Sequence, residues 1–259
     1  MSASLLAEFA AAVARGAIRT VDLTQTLSHD TPIIALPPQF GQCAPFRLDE
    51  ISHYDERGVA WYWNNFSMGE HTGTHFDAPV HWVTGRDLDR NSLDTILPSD
   101  FIAPAVVIDC SREAAEDPDF VLTVAAIEAW ESRHGRIPAG AWVLFRTDWS
   151  KREGDAYTNR QADGAHTPGP SAEAVRFLVD ERKAHGFGVE TIGTDAGQAH
   201  LFDPPYPAHT LFHGAGRYGL QCLANLDLLP PTGAVLVAAP LKIEHGSGSP
   251  LRVLALVAD

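Results

Sequence analysis

Cysteine is scarce in this chain of 259 residues: Cys43, Cys110 and Cys222 are odd in number and none stands in C-x-x-C spacing. That pattern argues against both a disulfide framework and a thiolate zinc site, and leaves the three as expected small core residues. Positive charge is also short, with 19 Lys plus Arg against 33 Asp plus Glu and a formal charge of −14. Such a surface repels phosphate backbones and anionic lipid, so neither nucleic acid nor a membrane is an expected partner. No uninterrupted apolar run approaches the ~18 residues that a spanning helix requires. The apolar start SLLAEFAAAVARGAIR has no basic region ahead of it and carries Glu8, while Leu6, Phe9 and Val13 fall at amphipathic-helix spacing. The expectation is a surface helix over 1–20 ahead of one domain over 21–259, in a cytoplasmic protein.

With 45% hydrophobic and 20% charged residues, the chain can bury the core of one large domain. Internal repeats, low-complexity tracts and linkers are missing as well. Short apolar, β-branched runs recur as VDLTQTL (21–27), AVVID (105–109), AWVLFR (141–146), VETIG (189–193), AVLVAA (234–239) and RVLALVA (252–258), which read as strands of a buried sheet. Two helices are expected between them. TVAAIEAWESRHG starts at a capping Thr123, and PSAEAVRFLVDERKAHG puts Val175, Leu178, Val179 and Arg182 on one face before Gly186 ends it. The class is α/β with a mixed sheet. Long loops containing PPQFGQ, NRQADGAHTPGP and FDPPYP are places where function concentrates.

The chemistry-bearing segment is His71-Thr-Gly-Thr-His-Phe-Asp-Ala-Pro-Val-His81. If it is extended, His71, Gly73, His75 and Asp77 project to one side and Thr72, Thr74 and Phe76 to the other, with Gly73 leaving room for an ion. A helix would also pair His71 with His75, but Gly73, the threonines and Pro79 oppose one. Two neutral imidazoles and a carboxylate suit a divalent ion such as Mn, Zn or Fe(II), and three protein ligands leave positions open for water and substrate. Glu70 is open to two readings, support for a ligand or a solvated charge. Trp61, Trp63, Phe66 and Trp82 flank the run, either as stacking surfaces for a flat substrate or as core.

The run H-x-G-T-H-x-D-x-P-x-H resembles the signature of the cyclase family of metal hydrolases, which includes bacterial kynurenine formamidases and isatin hydrolases. Similarity continues through VDLTQTLSHDTP, IGTDAG at 192–197 and PLKIEHGSGSPLRVLAL. The resemblance implies a single-domain β/β/α architecture, usually assembled as a homodimer or larger, acting on a small-molecule amide. It assigns His71, His75 and Asp77 to the metal and His81 to acid/base work. A second family stretch, a histidine followed twelve residues later by a glutamate, aligns with His209 and Gln221, so glutamine replaces the glutamate. In the two-zinc formamidases that glutamate supplies negative charge between two dications, which an amide does not. The resemblance therefore implies one ion per chain, Mn2+ with Zn2+ as the alternative, and leans toward the isatin-opening branch. Gln221 would be a further ligand or hold a water, His209 a second proton relay, and His213, Trp63, Phe66 and Trp82 substrate contacts. The alternatives are N-formylkynurenine or another small lactam or cyclic imide.

Overall fold

The computed structural model describes residues 2–258, so Met1 and Asp259, at the ends of the two expected segments, lie outside the described residues. Nine strands form one sheet in the spatial order Ile18–Asp22, Leu254–Ala258, Ala234–Val237, Ile102–Asp109, Trp142–Arg146, Gly186–Val189, Tyr218–Gln221, His75–Asp77 and Gly248–Pro250. The four strands from Ile102–Asp109 to Tyr218–Gln221 run parallel, and the pairs on either flank are antiparallel. The sheet is thus mixed, as expected for this class.

Central strands of this kind are apolar on both faces because both faces are covered. Val106, Ile108, Val143, Phe145, Phe187 and Val189 point to one side, where Ile127, Trp130, Val175 and Leu178 from two helices meet them. Val107, Trp142, Leu144 and Leu220 point to the other and join Phe76, Leu236, Val253 and Ala255. The helix Val124–His134 starts where Thr123 accepts a hydrogen bond from the Ala126 N–H, and Ala172–Arg176 where Ser171 accepts from Ala174. These hydroxyls satisfy donors that a first helical turn leaves free.

Several boundaries differ from the sequence reading. The strand expected at 21–27 is Ile18–Asp22, so the 1–20 segment already contains its start; the first helix is Ser2–Ala14. The strand expected at 189–193 is Gly186–Val189, and Glu190 to Asp195 instead leave the sheet's edge as loop. Gly186 opens that strand rather than ending the helix before it. That helix winds wider over Phe177–Glu181, where Arg182 N–H reaches back to the Phe177 carbonyl, and stops with Lys183 in a left-handed conformation. The hairpin Arg47–Asp55 with Gly58–Ser67 stands apart from the main sheet, and its outward residues include Trp61, Tyr62, Trp63 and Phe66. Cys110 and Cys222 are buried as expected, while Cys43 is only half-buried, against Thr72. No described helix is long and apolar enough to cross a membrane.

Arg182 sits on an otherwise apolar helix face because it pairs bidentately with Glu131, at 2.6 and 2.8 Å, with side chains 8% and 11% exposed. The pair ties the two helices that cover the sheet. Arg182→Ala leaves Glu131 without its partner and should lower the unfolding free energy by about 2 kcal/mol. Urea unfolding checks this: the midpoint should fall with an unchanged slope, and an unmoved midpoint would show that the pair contributes nothing net.

Candidate metal centre

The segment from His71 is not extended throughout. Only His75–Asp77 is strand, hydrogen-bonded on both sides, with His75 opposite Gln221 and Pro250 and Asp77 opposite Gly219 and Gly248. His71 arrives from a loop in which Gly73 has φ +67°, a left-handed conformation that side chains resist. The space beside Gly73 belongs to the Leu27 side chain, which a Cβ would strike, and is not room for an ion. Simple alternation is therefore corrected here, although its outcome survives. Thr74 still turns inward, donating to the Cys222 carbonyl and accepting from Gln25 N–H, and Phe76 enters the core.

Asp77 is the hub. Its Oδ1 lies 2.7 Å from His71 Nδ1 and 3.5 Å from His75 Nε2. Its Oδ2 accepts from the Gln221 amide and lies 3.7 Å from His209 Nε2 and 3.9 Å from His213 Nε2. The short helical turn Pro79–His81 brings His81 back so that its ring lies 3.9 Å from that of His71, centroid to centroid. The wide, π-type turn Ala208–His213 delivers His209 and His213 from the other side. Potential ligand atoms of His71, Asp77 and His81, and again of Asp77, His209 and His213, cluster within 4.8 Å. All six metal and acid/base residues inferred from sequence are thus gathered, and His213 with them.

The far nitrogens of these rings are already bound. His75 Nδ1 faces the Gly73 carbonyl at 2.7 Å and His213 Nδ1 the Arg217 carbonyl at 3.0 Å, so both donate there and turn a bare Nε2 to Asp77. His209 Nδ1 is held by Asp195, which also accepts from the N–H groups of Ala208 and His209. Burial lowers the His75 and His213 imidazoles to about 4 and His81 to about 3. Burial alone would raise the Asp77 carboxyl, but His81, His71 and His75 around it hold it well below the ordinary carboxylate range. Burial likewise opposes charge on His209, yet the bond to Asp195 leaves it above the ordinary histidine value. A neutral His75 imidazole beside an ionised Asp77 carboxylate is the pair of protonation states in which these groups bind a divalent ion. The donor types fit: Nδ1 of His71 and Nε2 of His75 both face Oδ1 of Asp77, although within 4.8 Å it is His81, not His75, that groups with His71 and Asp77, and the buried Gln221 Oε1 has no partner among the described residues.

Gln221 keeps its carbonyl oxygen free for the expected contact with an ion or a water, and adds one that was not expected, its nitrogen donating to Asp77. Trp82 stands at the centre, its ring 4.8 Å from that of His209 and its Nε1 donating to Thr210. Trp63 and Phe66 lie on the projecting hairpin, 54% and 63% exposed, and Phe66 borders a cavity of about 670 Å³ shared with Glu70, Met68 and Leu251. Glu70 accepts from Ser247 rather than standing free in solvent. Asp195 and Ser247 received no role from sequence. Both fall in stretches shared with the family, IGTDAG and PLKIEHGSGSP, and that shared placement was the available signal.

Replacing His71, His75 or Asp77 by Ala removes one of the three ligands expected from sequence, and each variant should lose tight metal binding. Elemental analysis after manganese loading and desalting decides it; full occupancy in any variant strikes that residue from the ligand set.

Comparison with known proteins meets this geometry from outside. An isatin hydrolase of Roseibium aggregatum is 51% identical over 257 residues, which span 98% of this chain and 97% of that one. Among solved structures, isatin hydrolase A from Ralstonia solanacearum is 67% identical with a TM-score of 0.97 over 97% of each chain. An isatin hydrolase bound to the product analogue thioisatinate reaches a TM-score of 0.98 at 48% identity over 100% of both. The Cyclase family model matches residues 21–196, a span that contains the whole His71–His81 run and ends just beyond Asp195, and on these grounds the chain belongs to the Cyclase family.

Proposed function

We propose that this chain hydrolyses the cyclic amide bond of isatin to give isatinate, using one divalent ion per chain held by His71, His75 and Asp77, manganese in preference to zinc. The observation that carries the reading is the Gln221 amide donating to Asp77 Oδ2. A neutral donor occupies the position where the family resemblance expects a glutamate in the two-zinc formamidases, so among the described residues Asp77 is the one carboxylate facing both His71 and His75; Asp195 is taken up behind His209. Two dications side by side repel strongly unless shared anionic ligands lie between them, and one carboxylate favours one ion. The relatives named for isatin hydrolysis support the same substrate.

When bound, the ion polarises the amide carbonyl and makes a water acidic enough to supply hydroxide near neutral pH. The chain must then move one proton. Water adds to the ring carbonyl carbon attached to nitrogen, the C–N bond breaks, the departing nitrogen gains the proton that the water loses, and the new carboxyl group releases its own proton to solvent. His81, its ring 3.9 Å from that of His71 and tilted 31° to it, 5.6 Å from the His209 ring and 6.0 Å from the His213 ring, is the group we assign to take that proton and return it to nitrogen; burial disfavours its charged form, so it holds the proton only in transit. His209, oriented by Asp195, is the second relay. Trp82 offers a flat face beside His209 for a planar bicycle, and His213, Trp63 and Phe66 complete the substrate contacts we assign. Apolar surface left open on the first helix and on the hairpin supports assembly as a homodimer. The three free cysteines support a cytoplasmic location.

Manganese-loaded protein should open isatin and leave N-formylkynurenine untouched; the reverse preference, followed by absorbance, overturns the assignment. His81→Ala should keep the ion and lose on the order of 10²- to 10⁴-fold in kcat. Near-native turnover would move proton transfer to His209.

Gln221→Glu puts a second carboxylate beside Asp77 and should raise stoichiometry from one ion toward two after zinc loading. Elemental analysis of both proteins under identical loading is the measure, and two ions in the unmodified chain would defeat the single-metal reading.

A further inference from the structure

His71 differs from the other imidazoles of the centre in which nitrogen it presents and in what lies behind it. His75 and His213 turn Nε2 inward with Nδ1 on a backbone carbonyl, a fixed acceptor that leaves no choice of tautomer. His71 turns Nδ1 inward, and its Nε2 lies 3.0 Å from Ser247 Oγ. Asp77 Oδ1, 2.7 Å from Nδ1, draws a proton to that side while no ion is bound, and a hydroxyl can donate or accept, so Ser247 alone would not hold one on Nε2. Glu70 removes that freedom. Its Oε2 receives the Ser247 backbone N–H at 3.2 Å and the Ser247 hydroxyl at 2.6 Å. The backbone N–H can only donate, so Oε2 is an acceptor and the hydroxyl proton is committed to it. Ser247 Oγ is then left only to accept, and the one donor facing it is His71 Nε2–H.

We propose that Glu70, acting through Ser247, is a positioning residue that holds a proton on His71 Nε2, so that when an ion takes the place of the proton His71 Nδ1 shares with Asp77 Oδ1, the Nδ1 lone pair is aimed at it. The inference rests on the metal-centre reading given above. Gly248 secures the same orientation sterically: a Cβ there would run into His71 Cε1 and Nδ1, so the ring lies against bare backbone. The centre is thus braced by carboxylates on two sides, Asp195 directly on His209 and Glu70 at one remove on His71. A His71 free to adopt the other tautomer would present an N–H to the ion for part of the time. Supporting partners of this kind commonly contribute 10- to 100-fold to metal affinity.

The test is the affinity for Mn2+ alone, measured without substrate by competition against a fluorescent chelator. Glu70→Ala frees the Ser247 hydroxyl to donate to His71, and Ser247→Ala removes the link; each should weaken binding on the order of 10- to 100-fold. Glu70→Gln keeps an acceptor oxygen, which the Ser247 backbone N–H selects over the amide nitrogen, and should recover most of the loss. Because both residues act through one chain of bonds, the Glu70→Ala, Ser247→Ala double variant should bind no more weakly than the weaker single one. Affinity within twofold of the unmodified protein in either alanine variant, additive losses in the double variant, or no recovery in Glu70→Gln each overturns the proposal. An unmodified chain that holds no manganese would instead remove the metal centre itself. Should Ser247→Ala fail to fold, the Glu70→Ala and Glu70→Gln pair still decides.

Discussion

A carboxylate buried among imidazoles is the constraint around which this protein is arranged. Asp77 is almost wholly removed from solvent, and a charge in that position is tolerated only if its surroundings stabilise it. The chain meets that requirement from four separate places: His71 and His75 approach Oδ1, while Gln221, His209 and His213 approach Oδ2. Because each of these groups must arrive at a stated side of one residue, the strand that carries Asp77 sits between two antiparallel partners. Its register against Tyr218–Gln221 sets Gln221 opposite His75. A slip of one residue in that pairing would turn Asp77 away from the imidazoles and Phe76 out of the core.

The position of the centre follows from the sheet. Gln221 ends the last parallel strand, and Asp195 lies on the loop that leaves the carboxyl end of the strand before it. Carboxyl ends of parallel strands are where such sheets present loops to ligands. The antiparallel flank supplies what a purely parallel sheet lacks here, a short strand next to the sheet's edge whose neighbours lie far away in sequence. The family resemblance and the nine-stranded mixed sheet agree on this architecture.

Much of the centre was legible in the sequence because His71 to His81 are close together and chemically unusual. Central strands such as Trp142–Arg146 were legible for the opposite reason, a plain apolar run buried on both faces. What escaped was set by distant partners. Ser247 lies 176 residues from His71, and although its stretch is shared with the family, nothing in it points to that partner. Asp195 reads as one acid among many until His209 is placed against it. Gly186 looked like a helix stop because glycine after a periodic run usually is one; here tertiary packing ended the helix earlier, at Lys183, and put Gly186 in a strand. The alternation argument for His71 failed locally because Gly73 leaves extended geometry, and it reached the right residues because the loop returns His71 to the same side.

The wide turn Ala208–His213 carries a different kind of information. A π-type turn is a helix holding one residue more than its usual ladder accommodates, and such turns arise most simply from a single insertion. Undoing it by deleting one residue after His209 would rotate everything beyond by about 100°, leaving His209 in place and swinging His213 off the carboxylate. Segment length is therefore part of the chemistry here. In this stretch the chain can exchange side chains more readily than it can change its count of residues, so histories of insertion and deletion among relatives should skirt 208–213 and collect in the loops on either side.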